Sequence, residues 1–295
     1  RRLTPMSRRP TERHLLVPAG HVRVLAWPGD GTVDCVFLHG LTAVADVWQA
    51  TVDALAQAAP RCLAFDQRGH GRSCRGDIDY RVGAFVDDLV AVIDALGLDR
   101  PHLVGHSMGG RVAIVAAARH PGRFRSVAIV DIGPEQWKAN ADATVAALGR
   151  LPRTFAGEAE AVAFGARGRP FDDAWRSAFF ARLQREPGGT YRWLADPHDL
   201  ASIVRIHRSR NYWRAWERIR IPALLVRGEL SNELRPRVAA SMRQRNPGVG
   251  YVELPGAPHN IPLAAPVLLA ETLAAFWDRH VPRIAAPRGW CHDAR

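Results

Sequence analysis

Short apolar runs alternate with longer amphipathic stretches along most of this 295-residue chain. Runs rich in Val, Ile, Leu and Phe predict buried strands, and apolar residues at every third or fourth position predict helices. The predicted strands are 33–38, 61–65, 101–106, 126–131, 221–226 and 251–254, after a hairpin at 15–26; the predicted helices are 46–58, 80–96, 111–119, 234–245 and 263–280. Alternation of strand and helix favours an α/β fold, with a mostly parallel, twisted sheet and helices on both faces.

Residues 133–216 interrupt this alternation. They contain helical stretches, no convincing strand and many aromatic residues, so we expect a helical lid inserted into a core made of residues 13–132 and 217–282. Aromatic residues at helical spacing usually form a lid's own core, and Trp137 is the candidate for contact with substrate. The polar, Pro-containing ends, residues 1–12 and 283–295, are predicted to be disordered.

The segment Gly105-His106-Ser107-Met108-Gly109 lies where an apolar strand changes abruptly into an Ala-rich helix. G-x-S-x-G between a strand and a helix predicts a nucleophile elbow, a turn that holds a strained serine above the sheet. A Gly-rich helix start is the alternative, and the strand before the segment argues against it. Ser107 is therefore the candidate nucleophile, and the positive end of the following helix points at it.

Composition narrows the function classes. No run of about 18 apolar residues is present, so neither a membrane span nor a membrane partner is predicted. The net charge is +11, but the basic residues are spread along the chain without a nucleic-acid motif, so no nucleic-acid partner is predicted. Four scattered cysteines predict neither a metal site nor disulfides. The Gly-rich segment 66–73 lacks nucleotide-binding patterns, which indicates a structural turn and no cofactor.

An Arg- and Ala-rich chain with a single lysine suggests a GC-rich bacterial gene. Prolines interrupt the basic N-terminal stretch and no continuous apolar region follows it, so a cytoplasmic protein is predicted. Six arginines lie within the sixteen residues where the lid returns to the core: Arg205, Arg208, Arg210, Arg214, Arg218 and Arg220. They form either a solvated face or a surface that attracts an anionic substrate or an acidic carrier protein.

Four signatures together resemble the α/β-hydrolase fold family, over roughly residues 14–280. They are His39-Gly40 after a strand, the Asp-x-Arg-Gly-x-Gly-x-Ser segment at 66–73, the elbow at Ser107, and the Pro-Gly-Ala-Pro-His-Asn-Ile-Pro segment at 255–262. The resemblance implies that His259 is the general base, because a serine hydroxyl is a poor nucleophile until an imidazole removes its proton. Pro258 stands where the family usually has Gly, which removes no functional group.

The same resemblance implies an oxyanion hole made of the backbone N–H groups of Leu41 and Met108. These two donors rest on position alone, since residue type does not mark a backbone donor. His39 and His106 also lie near the nucleophile. We expect both to be structural, because flanking positions on such turns brace the loop or point into the sheet.

The acid that orients His259 is less evident. Many family members carry an Asp after the strand that corresponds to 221–226, but the loop here, 228–233, has none. Asp131 follows the strand after the nucleophile helix and resembles the acid in a subset of these esterases, so it is the predicted third residue. Glu229 and Glu233 remain the alternatives, and a carboxylate that only caps the lid is the structural alternative for Asp131.

The predicted function is a cofactor-independent serine hydrolase that cleaves a carboxylic ester or thioester of a partly apolar small molecule through an acyl-serine intermediate. Epoxide and haloalkane hydrolases of this fold carry Asp at the elbow, so Ser107 argues against their chemistry. Cleavage of C–C bonds, acyl transfer and cyclisation use the same Ser and His and stay open. A hydrolase-fold binding protein is a further alternative, although a binder need not retain nucleophile, base and oxyanion loop together.

Overall fold

The computed structural model describes residues 8–29, 34–55, 60–135, 137–167 and 171–280. Its strands are β1 (Thr11–Val17), β2 (Gly20–Trp27), β3 (Asp34–Leu38), β4 (Arg61–Phe65), β5 (His102–His106), β6 (Ser126–Val130), β7 (Thr154–Phe155), β8 (Leu183–Arg185), β9 (Tyr191–Trp193), β10 (Ala223–Gly228) and β11 (Gly250–Leu254). Its α-helices are α1 (Gln49–Ala54), α2 (Val82–Ala95), α3 (Met108–Arg119), α4 (Lys138–Leu148), α5 (Glu158–Gly165), α6 (Asp173–Phe180), α7 (Pro197–Arg208), α8 (Trp213–Glu217), α9 (Pro236–Arg245), α10 (Ile261–Ala264) and α11 (Pro266–His280).

Eight strands form one sheet in the order β1-β2-β4-β3-β5-β6-β10-β11. The neighbours from β4 across to β11 pair in parallel, and β1 and β2 add an antiparallel hairpin at one edge. The predicted hairpin and the mostly parallel sheet are therefore confirmed. Parallel pairing brings the carboxyl ends of β3, β5, β6, β10 and β11 to the same edge of the sheet, where loops can carry reactive groups.

Alternate residues of the central strands fill two cores. Val36 and Leu38 of β3 pack on one face with residues of α2 and α3, whereas Cys35 and Phe37 pack on the other with residues of α1 and α11. A strand covered on both faces must be apolar at every position, which is why these strands read as continuous apolar runs. The helices predicted between the strands are thus the layers that cover the sheet.

The lid segment contains a small sheet that the sequence does not predict. Strands β7, β9 and β8 pair antiparallel in that order, within the stretch expected to be helical. Each strand has only two or three residues, which is too short for a period-2 pattern to be seen. Packing of Phe155, Tyr191 and Trp193 with aromatic residues of α5 and α6 stabilises these strands. The segment contains the expected helices, α4 to α8, but the expectation that it has no convincing strand is wrong, and the division at residues 133 and 216 stays a prediction.

Ordered structure begins at an earlier residue of the N-terminal segment than the sequence predicts. Strand β1 begins at Thr11, which pairs with Ala26, and the backbone N–H of Arg8 donates to Oδ1 of Asp53 at 2.8 Å. The prediction of disorder is therefore wrong for residues 8–12, because a polar edge strand gains its order from backbone pairing, which composition does not reveal. The same prediction for residues 1–7 and 283–295 lies outside the described residues.

In the described part of the chain, no helix is long and apolar enough to cross a bilayer. No group of three or more His, Cys, Asp or Glu side chains there is arranged to hold a metal ion.

Candidate active site

The turn at Ser107 joins β5 to α3 without an intervening loop. Ser107 has φ +52° and ψ −119°, a conformation that residues with a side chain rarely adopt. A Cβ on Gly105 would lie 2.3 Å from the carbonyl oxygen of Gly109, so only glycine lets the strand and the helix approach this closely. The predicted strand–turn–helix geometry is present, and it holds the Ser107 side chain at the strand-end edge of the sheet.

Three side chains from three loops meet at this edge. Oγ of Ser107 lies 3.0 Å from Nε2 of His259, and Nδ1 of His259 lies 2.6 Å from Oδ2 of Asp131. When Nδ1–H donates to the carboxylate, Nε2 is left as the acceptor for the Ser107 hydroxyl. These residues follow β5, β6 and β11, each at the carboxyl end of its strand. The arrangement has the geometry of a Ser-His-Asp triad.

Hydrogen bonds hold the Asp131 carboxylate in a site closed to water. Its side chain is fully buried and its backbone has φ +56°. Oδ1 accepts the backbone N–H of Gly228 at 2.9 Å, and Oδ2 accepts the hydroxyl of Ser231 as well as His259. Donors of this kind stabilise a buried negative charge. The sequence does not single out Ser231, and its only signal is its place in the loop where many family members carry the acid.

The two competing glutamates lie away from the imidazole. Oε2 of Glu229 accepts the backbone N–H of Gly256 at 2.7 Å, in the turn that precedes His259. The carboxylate of Glu233 is 3.5 Å from Nδ2 of Asn140 and lines the cavity that contains Ser107. Among the described residues, the carboxylate that pairs with His259 is that of Asp131. The geometry therefore favours Asp131 over both alternatives.

Backbone N–H groups flank the nucleophile as the oxyanion-hole prediction requires. Leu41 and Met108 both line the cavity at Ser107. Met108 is the first residue of α3, so its N–H is among those that have no partner inside the helix. The turn after β3 passes close to the nucleophile, since a Cβ on Gly40 would lie 3.1 Å from Cβ of Ser107. These positions suit the role, which stays a prediction.

The two other histidines near the turn brace loops. Nε2 of His39 accepts the backbone N–H of Gln67 at 3.0 Å, and Nδ1 donates to the carbonyl oxygen of Gly40 at 2.8 Å. Nε2 of His106 donates to the carbonyl oxygen of His259 at 2.8 Å, which fixes the loop of the base. Burial lowers the pKa of His39 to about 4 and that of His106 to about 3, so both rings are neutral at pH 7.

The cavity at Ser107 has a volume of about 200 Å³ and continues beside a second cavity of about 260 Å³. Thr42 and Thr144 belong to the walls of both. The second cavity is mostly apolar, and three aromatic residues of the lid line it: Phe164, Phe179 and Trp193. The two cavities together can hold a small molecule whose larger part is apolar.

Trp137 does not line the cavity that contains Ser107. The guanidinium groups of Arg235 and Arg237 each lie over its ring, 4.4 Å from the ring centroid. These cation–π contacts hold the ring at the start of α9. The expectation that Trp137 contacts substrate stays a prediction that this geometry does not support, whereas Phe164, Phe179 and Trp193 line the apolar cavity. Sequence spacing does not distinguish these rings from the rest of the lid core.

Arginines of the stretch before β10 differ in their surroundings. Arg208 forms an ion pair with Asp142, and Arg220 donates to the backbone carbonyls of Glu217 and Ile219. Arg205 instead lines an open groove of about 660 Å³ together with Arg75 and Arg153. This groove shares Leu148, Leu151 and Trp193 with the apolar cavity, so a basic surface lies next to the interior path toward Ser107.

A family model of the α/β-hydrolase fold matches residues 36–266. The chain belongs to this family. The match runs from β3 through α10 and so includes all three residues that meet at the sheet edge. The resemblance seen in the sequence signatures is thereby confirmed for the family and its fold, and the chain is a hydrolase-fold enzyme.

Relatives of this α/β hydrolase include several bacterial enzymes. A 2-(acetamidomethylene)succinate hydrolase of Mesorhizobium japonicum is 30% identical over 246 residues, which cover 82% of this chain and 87% of that enzyme. An esterase of Mycobacterium tuberculosis is 28% identical over 274 residues, covering 89% and 88%. The crystal structure of an E-2-(acetamidomethylene)succinate hydrolase superposes with a TM-score of 0.84 and 28% identity, over 91% of this chain and 99% of that chain.

Proposed function

We propose that this α/β hydrolase cleaves a carboxylic ester or thioester through a covalent acyl-Ser107 intermediate, without a cofactor. The observation that carries the proposal is the unbroken series of contacts from Ser107 through His259 to Asp131, at 3.0 and 2.6 Å. With the proton of the neutral imidazole on Nδ1, each bond has the donor and the acceptor in the order that proton transfer requires. Similarity to a bacterial esterase supports the same class of substrate.

Acylation begins when Oγ of Ser107 attacks the carbonyl carbon while its proton moves to Nε2 of His259. The negative charge that develops on the carbonyl oxygen faces the N–H groups of Leu41 and Met108, and one such donor is worth about 3 kcal/mol of transition-state stabilisation. The buried carboxylate of Asp131 stabilises the imidazolium that forms.

His259 then gives its proton to the leaving oxygen or sulfur, which departs and leaves the acyl group on Ser107. A water molecule, deprotonated by the same imidazole, attacks the acyl-enzyme and releases the acid. His259 serves both steps because its loop is fixed, with its own carbonyl oxygen bonded to His106. Apolar walls beside the nucleophile suit the apolar part of the acyl or leaving group.

Amide hydrolysis is the second candidate. It is supported by the similarity to the enzyme from Mesorhizobium japonicum, whose name describes a substrate with an acetamido group. The same three residues would act, with the proton on His259 passing to a leaving nitrogen. The alternatives of C–C cleavage, acyl transfer and cyclisation stay open, and product analysis separates them.

A fluorophosphonate probe tests the nucleophile directly. We expect the wild-type protein to be labelled at Ser107, located by mass spectrometry of the peptide, and to hydrolyse 4-nitrophenyl esters of graded chain length. Ser107→Ala should remain folded, lose labelling, and retain only the residual rate that the oxyanion hole supplies. A folded Ser107→Ala protein with near wild-type turnover would exclude the acyl-enzyme.

We also propose that the groove formed by Arg75, Arg153 and Arg205 attracts an anionic substrate or an acidic carrier protein. If so, kcat/KM for an anionic ester should fall more steeply with ionic strength than that for a neutral ester. A cytoplasmic location stays a prediction of the sequence.

A further inference from the structure

Arg111 is a buried cation in the wall of the catalytic cavity. It lies one turn after the nucleophile in α3, and its backbone N–H donates to the carbonyl oxygen of Ser107 at 3.3 Å. Its side chain lines the same cavity as Ser107 and His259, although only 5% of the residue is exposed. A charged side chain is seldom buried to this extent unless another group pairs with it.

The side chain of Arg111 has only neutral partners among the described residues. Nε donates to the carbonyl oxygen of Gly133 at 3.3 Å, and one terminal nitrogen donates to that of Glu135 at 3.2 Å. No carboxylate of the described residues comes within 4.0 Å of the guanidinium. These long contacts leave the delocalised charge without a carboxylate at ion-pair distance among the described residues.

The other buried arginines of the described chain each have a carboxylate partner. Arg68 is equally buried and forms two bonds of 2.7 Å with Asp88. Arg23 pairs with Asp46, and Arg227 pairs with Glu253. Arg111 is the exception, and it is also the one that lines the cavity at Ser107. An unpaired buried charge is strongly destabilising, so its retention at this position calls for a partner that arrives from outside.

The guanidinium keeps its charge in this environment. Burial lowers the pKa of Arg111 to about 10, which leaves it protonated at pH 7. Glu233 also lines the cavity and attracts Arg111 from beyond ion-pair distance. Since Glu233 repels an anion on its own side, an incoming carboxylate is directed toward Arg111. The planar fork of a guanidinium is suited to bind both oxygens of a carboxylate.

We propose that Arg111 binds a carboxylate of the substrate, so that the preferred ester or amide carries an anionic group a few bonds from its scissile carbonyl. This inference rests on the proposed function, because it requires Ser107 to be the reacting group. In this role Arg111 selects substrates that carry a carboxylate. The apolar cavity beside Thr42 and Thr144 then receives the part of the molecule that lacks charge.

Matched pairs of esters test this assignment. The anionic probes are the 4-nitrophenyl half-esters of succinate, glutarate and adipate, and the neutral probes are the 4-nitrophenyl esters of butanoate, pentanoate and hexanoate, with spontaneous hydrolysis subtracted. We expect Arg111→Met to lower kcat/KM for the best half-ester by roughly 10- to 100-fold, mainly through KM. The matched neutral ester should change by less than about 3-fold. Arg111→Lys should recover part of the loss, because it keeps the charge without the fork.

Arg243, exposed in α9 and outside the arginine-rich stretch, provides the control. Arg243→Met removes the same net charge from the surface and should leave the ratio between half-ester and neutral ester unchanged. If Arg111→Met lowers turnover of both esters equally, Arg111 only braces the loop at Gly133 and Glu135, and the inference is wrong.

Measuring binding in a variant that lacks the nucleophile tests this inference separately from the proposed function. In the Ser107→Ala background, calorimetry should detect the half-ester, and adding Arg111→Met should raise its Kd by roughly 10- to 100-fold. An unchanged Kd, or no binding of any half-ester, overturns the role of Arg111. Labelling of Ser107 by the phosphonate probe in the wild-type protein would still support the hydrolase.

Discussion

Two loops at the same edge of the sheet hold the His259 imidazole, one directly and one through Asp131. The loop after β6 supplies the charge, through Asp131, which is fully buried and bonded to Nδ1 of the imidazole. The loop after β10 supplies neutral donors, the backbone N–H of Gly228 and the hydroxyl of Ser231, both bonded to that carboxylate. An acid after β6 can therefore orient the base when the loop after β10 offers donors that stabilise its charge.

The largest effect should come from the charged loop. Asp131→Asn must place its amide oxygen toward the N–H of Gly228, which turns its NH₂ group toward His259. Nδ1 then becomes an acceptor, Nε2 carries the proton, and the ring cannot take the proton of Ser107. The same substitution in another serine hydrolase cost about 10⁴ in turnover, and we expect a similar loss in kcat with the fold intact by circular dichroism.

A folded Asp131→Asn protein with turnover within about 10-fold of wild type would mean that Asp131 only caps the lid. In that case a stability loss should accompany the substitution instead, as a lower midpoint in urea.

The neutral loop should have an intermediate effect, and on stability more than on turnover. Ser231→Ala removes one donor from a buried carboxylate and should lower the free energy of unfolding by about 1–3 kcal/mol. Turnover should stay within about 10-fold, because Gly228 and His259 still hold Asp131. Ser241→Ala is the matched control, since its hydroxyl is exposed and bonds to the carbonyl of Arg237 in its own helix. Equal urea midpoints for the two variants would show that Ser231 contributes nothing to Asp131.

The smallest effect should come from the glutamates of the second loop. Glu229→Gln keeps an acceptor for the N–H of Gly256, and Glu233→Gln keeps one for Asn140. Neither residue touches His259, so kcat should change by less than about 3-fold in either variant. The measurement is kcat for a neutral aryl ester at saturation. A large loss of kcat in one of these variants, together with an active Asp131→Asn protein, would show that the acid lies in the loop after β10 and not in the loop after β6.

The core could be predicted from the sequence because its signals are local. Period-3.6 helices, apolar runs and the G-x-S-x-G turn each span a few residues, and they agree with one another over 34–132 and 217–280. The lid strands could not be predicted, because their two or three residues are stabilised by ring packing from distant segments such as Phe155 and Phe179. The neighbours of the Trp137 ring, Arg235 and Arg237, could not be predicted for the same reason, because the spacing of a residue in the sequence does not show which side chains pack on it.

By itself, the sequence determined the parallel sheet, the strained turn at Ser107 and the candidates for base and acid, since strand periodicity and turn chemistry are properties of short segments. Only the tertiary structure favours Asp131 over the glutamates, because that choice depends on which carboxylate lies next to Nδ1 of His259, and Oδ2 of Asp131 lies 2.6 Å from it. It also decided that Arg111 is buried without a carboxylate partner among the described residues, while Arg68 has Asp88. Both outcomes depend on contacts between segments far apart in the chain, where a few ångströms determine whether two charges meet.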